Sequence, residues 1–204
     1  MKRPLLLIAA ITAVALAAVI GFSLRGVGDR ASQAQGASVG GPFHLVDQQG
    51  RAQDESLLKG KWSAVFFGFT FCPEACPTTL LALGQAQDLL GPRARNLQVV
   101  FISVDPERDT PKAVQAYLAN PAFPKGAIGL TGSEAQVEAV ARAYHVFYQK
   151  AGEGRDYTVN HTTFTYLMNP KGEFACVLPY ALPPEQLADR VRKAMRAGRD
   201  AQTC

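Results

Sequence analysis

Charge is scarce in this chain of 204 residues: 19% of side chains are charged, against 48% hydrophobic. That is the composition of a folded protein and leaves too little charge for a disordered one. Without Lys2 and Arg3 the 21 basic side chains fall to 19, against 17 acidic ones, so the remainder is close to neutral. No lysine- or arginine-rich run occurs in it, which argues against nucleic acid as a partner. Cysteine is scarce too. Four are too few for a disulfide scaffold, so each is read by its own surroundings. The length suits one domain and a tail, with no internal repeat.

What the chain does have is one long uncharged run, residues 4–22, preceded by Lys2 and Arg3. At about 1.5 Å per residue it covers roughly 30 Å, the hydrocarbon thickness of a bilayer. A cleaved signal peptide has a shorter apolar region and a small-residue cleavage site, and Ser23-Leu24-Arg25-Gly26 offers none. Residues 1–25 are therefore expected to be an uncleaved membrane anchor rather than a signal peptide. Either reading exports the rest of the chain. In a bacterium this means a single span in the inner membrane and a domain in the periplasm, where disulfides can form. Residues 26–42, rich in Gly, Ser, Ala and Gln, read as a flexible tether. The domain is expected over 43–198, with a short tail over 199–204.

Within that domain Phe43 to Asp47 reads as a strand running into a turn, and Ser63 to Phe71 and Leu97 to Val104 as strands buried on both faces. The leucines between Pro77 and Leu90 mark a helix, giving a βαβ unit. Thr110-Pro111 and Ser133-x-x-Gln136 each cap a further helix, with a short strand over Ala127 to Leu130 between them. Thr162 to Met168 and Glu173 to Leu178 flank Asn169-Pro170-Lys171-Gly172 as a hairpin, and Pro184 to Arg196 closes the chain as a helix. A βαβ unit followed by a β-hairpin and a C-terminal helix is the order of an α/β, thioredoxin-like fold.

Cys72-Pro73-Glu74-Ala75-Cys76-Pro77 sits where the first buried strand gives way to the helix. With Pro77 at the first helical position, Cys76 falls at the cap, and the helix dipole gives both thiols thiolate character. The two sulfurs can share a metal ion or close a small disulfide, and the spacing alone does not separate these chemistries. It departs from the Cys-x-x-Cys of thioredoxins, and the Thr-x-x-Cys context of a peroxidatic cysteine is absent. His44 and His145 read as structural. His161, in the loop entering a core strand, is expected beside the cysteines. Two sulfurs and an imidazole select copper(I), and could open to copper(II) given a further ligand, whereas zinc prefers four. Phe66, Phe67, Phe69 and Phe71 are expected in the core. Capping and turns account for Asp105 and Asp109 without chemistry. Cys176 reads as a small buried residue and Cys204 has no expected partner.

Phe67-Gly68-Phe69-Thr70-Phe71-Cys72-Pro73-Glu74-Ala75-Cys76-Pro77, Ser103-Val104-Asp105-Pro106-Glu107-Arg108-Asp109-Thr110 and Asp156-Tyr157-x-x-x-His161-Thr162 together resemble the Sco/SenC proteins. These are membrane-anchored, thioredoxin-like copper chaperones for cytochrome c oxidase. The resemblance runs from about Gly41 to Ala197. It implies Cys72, Cys76 and His161 as copper ligands, no catalytic residue, and the oxidase subunit II bearing the dinuclear CuA site as partner. A periplasmic copper donor or thioredoxin-like reductant would be a further partner. The alternative is a thiol-disulfide oxidoreductase in which Cys72 and Cys76 cycle to a disulfide and reduce the CuA-site cysteines. Asp105 and Asp109 recur in the resemblance, which admits a role in shaping the copper loop or docking the partner. One departure is Asn160, where the family commonly has an acid: the amide keeps a hydrogen-bonding role and loses the charge. Asn160→Asp is therefore expected to tighten copper(II) binding in a competition titration, and an unchanged affinity would count against that role.

Overall fold

The computed structural model describes residues 39–154, 156–201 and 203–204. The anchor expected over residues 1–25 and most of the tether over 26–42 lie outside the described residues. Among those described, no helix is long and apolar enough to cross a membrane. The elements run β1 (His44–Asp47), β2 (Ala52–Asp54), β3 (Trp62–Gly68), α1 (Ala75–Leu90), β4 (Leu97–Ser103), α2 (Pro111–Leu118), β5 (Ile128–Thr131), α3 (Glu134–Ala143), β6 (Tyr148–Ala151), β7 (Thr158–His161), β8 (Thr165–Met168), β9 (Phe174–Leu178) and α4 (Pro184–Ala197).

Seven strands form one sheet in the order β2-β1-β5-β4-β3-β8-β9, while β6 and β7 pair separately. The apolar runs of β3 and β4 take the centre, parallel from Trp62 opposite Leu97 to Gly68 opposite Ser103. Every residue of β3 is buried, because both faces of the sheet are covered. Alternation sorts its side chains. Phe66 lies against Phe101, whose ring meets Tyr117 of α2, whereas Phe67 points the other way onto Tyr144 and Tyr166. Rings buried this completely contribute about 1.5–3 kcal/mol each. Thr110 caps α2 through Ala113 N, and Ser133 with Gln136 forms the capping box expected for α3. On α4, Leu187 and Val191 of the expected stripe are buried and Met195 is half-buried.

The structure corrects the reading at four places. β3 ends at Gly68 rather than Phe71, because α1 presses on it there. A Cβ on Gly68 would lie 2.6 Å from Cys76 Sγ and 2.9 Å from Phe101. Past that contact the chain leaves the sheet, and Phe71, placed in the core by its apolar neighbours, is 62% exposed. The helix begins at Ala75 with Glu74 as its cap, so Cys76 lies inside the first turn instead of at the cap. His161 does not enter the core strand: it ends β7 of a small hairpin that the sequence pattern did not reveal. Finally, Cys204 is joined to Cys176 in a disulfide with Cα atoms 6.1 Å apart, which pins the 199–204 tail to β9. The clue was parity: with Cys72 and Cys76 taken together, two thiols are left over.

The 28-residue separation of that disulfide sets the scale of its contribution. Closing such a loop removes unfolded-state entropy worth roughly 3–4 kcal/mol. Cys176→Ser is expected to lower the stability measured by urea denaturation by about that amount, with residues Cys72 and Cys76 held reduced in both proteins.

Candidate metal centre

The turn between β3 and α1 is fixed from beneath. Asp109, fully buried, accepts hydrogen bonds from Thr70 N at 3.0 Å, Thr70 Oγ1 at 2.6 Å and Ser103 Oγ at 2.6 Å. It therefore braces the loop from below as well as ending a turn, beyond the capping that spacing alone suggested. With Thr70 held, Cys72 N reaches Phe69 O at 3.2 Å and the chain doubles back. Cys72 Sγ then accepts from Cys76 N at 3.3 Å, one of the amides left open at the start of α1.

His161 arrives on β7, from outside the main sheet. Its Nδ1 lies 2.8 Å from the carbonyl of Thr162, which can only accept, so Nδ1 carries the proton and Nε2 keeps its lone pair. Nε2 is 3.5 Å from Cys76 Sγ. The ring stands edge-on to Phe69 and Phe66, which restrict its rotation. The ligand atoms of Cys72, Cys76 and His161 all lie within 4.8 Å of one another, the one such group among the described residues. The orienting partner is thus the Thr162 backbone; Asn160 is exposed and no hydrogen bond joins it to the imidazole. His44 and His145 are both exposed and lie outside this group.

Helix-dipole reasoning expected both thiols to share thiolate character, and the structure divides them. The Cys76 thiol hydrogen-bonds to the Cys72 sulfur, and with the backbone amides of Cys76 and Glu74 this outweighs burial, pulling Cys72 down to about 4. Burial, followed by the neighbouring Cys72 charge, pushes Cys76 up. At neutral pH the pair is one thiolate and one thiol. The single Cys76 proton then has two acceptors in reach, the Cys72 sulfur and His161 Nε2, and a soft cation could take the place of that proton and engage all three donors. The set of two sulfurs and one nitrogen fits copper(I), and among the described residues no fourth carboxylate, thiol or imidazole completes the tetrahedron that zinc prefers.

Arg108 ties the hairpin to the loop. Its guanidinium donates to Asp105 at 2.6 Å and to the carbonyl of Tyr157 at 2.9 Å, and stacks over the rings of Tyr157 and Phe71 at 3.6 and 4.6 Å. Tyr157 in turn donates to Asp105 at 2.6 Å. Asp105 therefore anchors two groups at the base of the His161 hairpin. Neither Arg108 nor Tyr157 stands out from the sequence, although both lie within the family-like motifs; an arginine between two aspartates and a tyrosine four residues before the histidine were the available signals.

Comparison with known proteins places this geometry in context. A family model described as SCO1/SenC matches residues 31–196. "Protein SCO1 homolog 1, mitochondrial" of Arabidopsis thaliana is 41% identical over 78% of this chain, but that match spans only 48% of the relative's own length. Among solved structures, Arabidopsis thaliana ScoI with copper bound superposes with a TM-score of 0.74 at 40% identity, covering 78% of this chain and 99% of that one. BsSco, described as a member of the Sco family of cytochrome c oxidase assembly proteins with a disulfide switch, gives 0.60 at 26% identity over 76% of this chain and 93% of its own.

The split between the thiols is directly measurable. An ordinary thiol, with a pKa near 8.5, is well under about 1% thiolate at pH 6. Cys72, at about 4, is almost wholly thiolate there. In the reduced, metal-free protein, alkylation followed by mass spectrometry is expected to modify Cys72 at pH 6 far faster than Cys76. Equal rates would contradict the assignment.

Proposed function

Because the chain belongs to the SCO1/SenC family, we propose that it is a copper metallochaperone in cytochrome c oxidase assembly, with Cys72, Cys76 and His161 as its copper ligands. The carrying observation is the convergence of two sulfurs and a lone-pair imidazole nitrogen within 4.8 Å at the edge of the domain. Copper is cargo here. The Cys72 thiolate and Nε2 offer lone pairs, and Cys76 gives up its proton as the ion enters. Release to a partner proceeds by exchange of these donors for the partner's own. The receiving site in this reading is the CuA centre of oxidase subunit II, itself built for soft donors. Exposed Phe71, beside Cys72, and exposed Phe147, hydrogen-bonded to Thr162, offer an apolar contact around the ligands. A periplasmic copper donor and a thiol reductant would supply the ion and keep the pair reduced.

The compartment rests on two features. The uncharged run at residues 4–22 would hold the chain in the bacterial inner membrane as a single span, and the Cys176–Cys204 disulfide fits an oxidising periplasm. Tethering would raise the domain's effective concentration near an oxidase in the same membrane.

A second reading has its own support in the divided thiols. As a reductase, Cys72 thiolate would attack a target disulfide, forming a mixed disulfide and releasing one target thiolate. Cys76 would then lose its proton and attack Cys72 Sγ, expelling the second. The protein's dithiol is oxidised and the target is reduced by two electrons. Both readings need both cysteines, and only the metal reading needs His161. Anaerobic titration of the reduced chain is expected to give one tightly held copper(I), with His161→Ala weakening it by about a hundredfold, or about 2.7 kcal/mol. Stoichiometric disulfide reduction should survive that substitution. Weak binding indifferent to His161 would instead favour the reductase.

A further inference from the structure

The metal centre occupies one end of the central strands, and the other end has a different character. Lys61 immediately precedes β3, whose far end leads to Cys72. At about 3.3 Å per residue the two lie roughly 20 Å or more apart. Two adjoining clefts open around Lys61. Arg93 and Arg199 line one with it, and Arg95 and Lys125 line the other. All five side chains are exposed. The carboxylate on these clefts is Asp88, and Lys125 engages it at 3.1 Å. Lys61, Arg93, Arg95 and Arg199 have no ion-pair partner among the described residues.

The opposite end differs. Glu74 and Glu134 are exposed at the C-terminal ends of β3 and β5, toward the metal centre, while Glu107 beyond β4 is engaged by Lys150 at 2.8 Å. Cations without ion-pair partners are therefore gathered at the Lys61 end, whereas the metal-centre end carries acids and bases together, in part paired with one another. Near a plane of negative charge such a domain orients, because its Lys61 end is attracted within a Debye length of about 8 Å. Exposed guanidinium and ammonium groups, unengaged by carboxylates, suit phosphate in particular. The uncharged run at residues 4–22 identifies the plane, since it places a bilayer within constant reach of this domain.

We propose that the face carrying Lys61, Arg93, Arg95, Lys125 and Arg199 docks on the anionic headgroups of the membrane that holds the chain, turning the Cys72–Cys76–His161 end away from the lipid. The proposal rests on the anchor reading of residues 4–22 and is independent of whether the ligands carry copper. Its test uses the full chain reconstituted in vesicles of phosphatidylcholine alone, or of phosphatidylcholine and phosphatidylglycerol at about 3:1, with lysine acetylation read residue by residue by mass spectrometry. Each of the five basic side chains adds about 1 kcal/mol to the docked state on an anionic surface, so in the anionic vesicles Lys61 and Lys125 should label at least about fivefold more slowly. Lys112, exposed at the start of α2 at the metal-centre end, should be unchanged. Salt at about 0.5 M, or Arg93→Glu with Arg95→Glu, should remove the protection while copper(I) stoichiometry stays as in the parent chain. If the chain fails to enter the vesicles the anchor reading is wrong, and the same labelling on mixing with them still decides the surface. Equal labelling in both vesicle types would overturn the proposal and leave the face to an acidic protein.

Discussion

One buried carboxylate organises the end of the molecule where the chemistry sits. Asp109 links Thr70, just past β3, to Ser103, the last residue of β4, and it directly precedes Thr110, the cap of α2. Hydrogen bonds to an ionised acceptor are worth about 1.5–3 kcal/mol each, and leaving such a buried charge unpaired costs more. Burial raises the Asp109 carboxyl, and the bonds from Ser103 and Thr70 pull the other way. The turn they hold is what lets Cys72 reach back to the first turn of α1. Gly68 completes the arrangement, because only a residue without a side chain lets Cys76 Sγ settle so close to β3.

Much of this was legible in the sequence because period and punctuation report on local structure. The continuous apolar runs located β3 and β4, Thr110-Pro111 and Ser133 located helix starts, and Asn169 to Gly172 located the β8–β9 turn. What escaped depended on distant neighbours. Phe71 has the composition of a core residue, but Asp109 redirects the chain before it. Cys76 looks like a cap, yet the packing of α1 on Gly68 buries it, so its proton is held rather than shed. The β6–β7 hairpin has no apolar alternation of its own. It is held where Tyr157 meets Asp105 and Arg108 of the loop after β4, some fifty residues earlier in the chain. Residue types and placement already pointed to Cys72, Cys76 and His161 as a candidate soft-metal set, and the resemblance implied copper; spacing alone left metal and redox chemistry open.

The four cysteines fall into two pairs with opposite fates. Cys176 and Cys204 close a covalent link at the far edge of the sheet, while Cys72 and Cys76 remain free thiols beside one another. The difference lies in their surroundings. The first pair joins β9 to Cys204 as a covalent link, with its sulfurs tied to each other. The second pair is embedded in hydrogen bonds that stabilise one sulfur as an anion and keep the other protonated. An oxidising environment can thus complete the fold without the reactive pair needing to share that state.

The third donor comes from different architecture. Cys72 and Cys76 are joined by a single turn built on the seven-stranded sheet, so the distance between their sulfurs is set by the core. His161 belongs to a two-stranded unit that shares no strand pairing with that sheet. Any swing of this hairpin changes both sulfur-to-nitrogen distances and leaves the sulfur-to-sulfur distance as it was. Two of the donors thus share one support and the third rests on another, joined to it through Arg108, Asp105 and Tyr157.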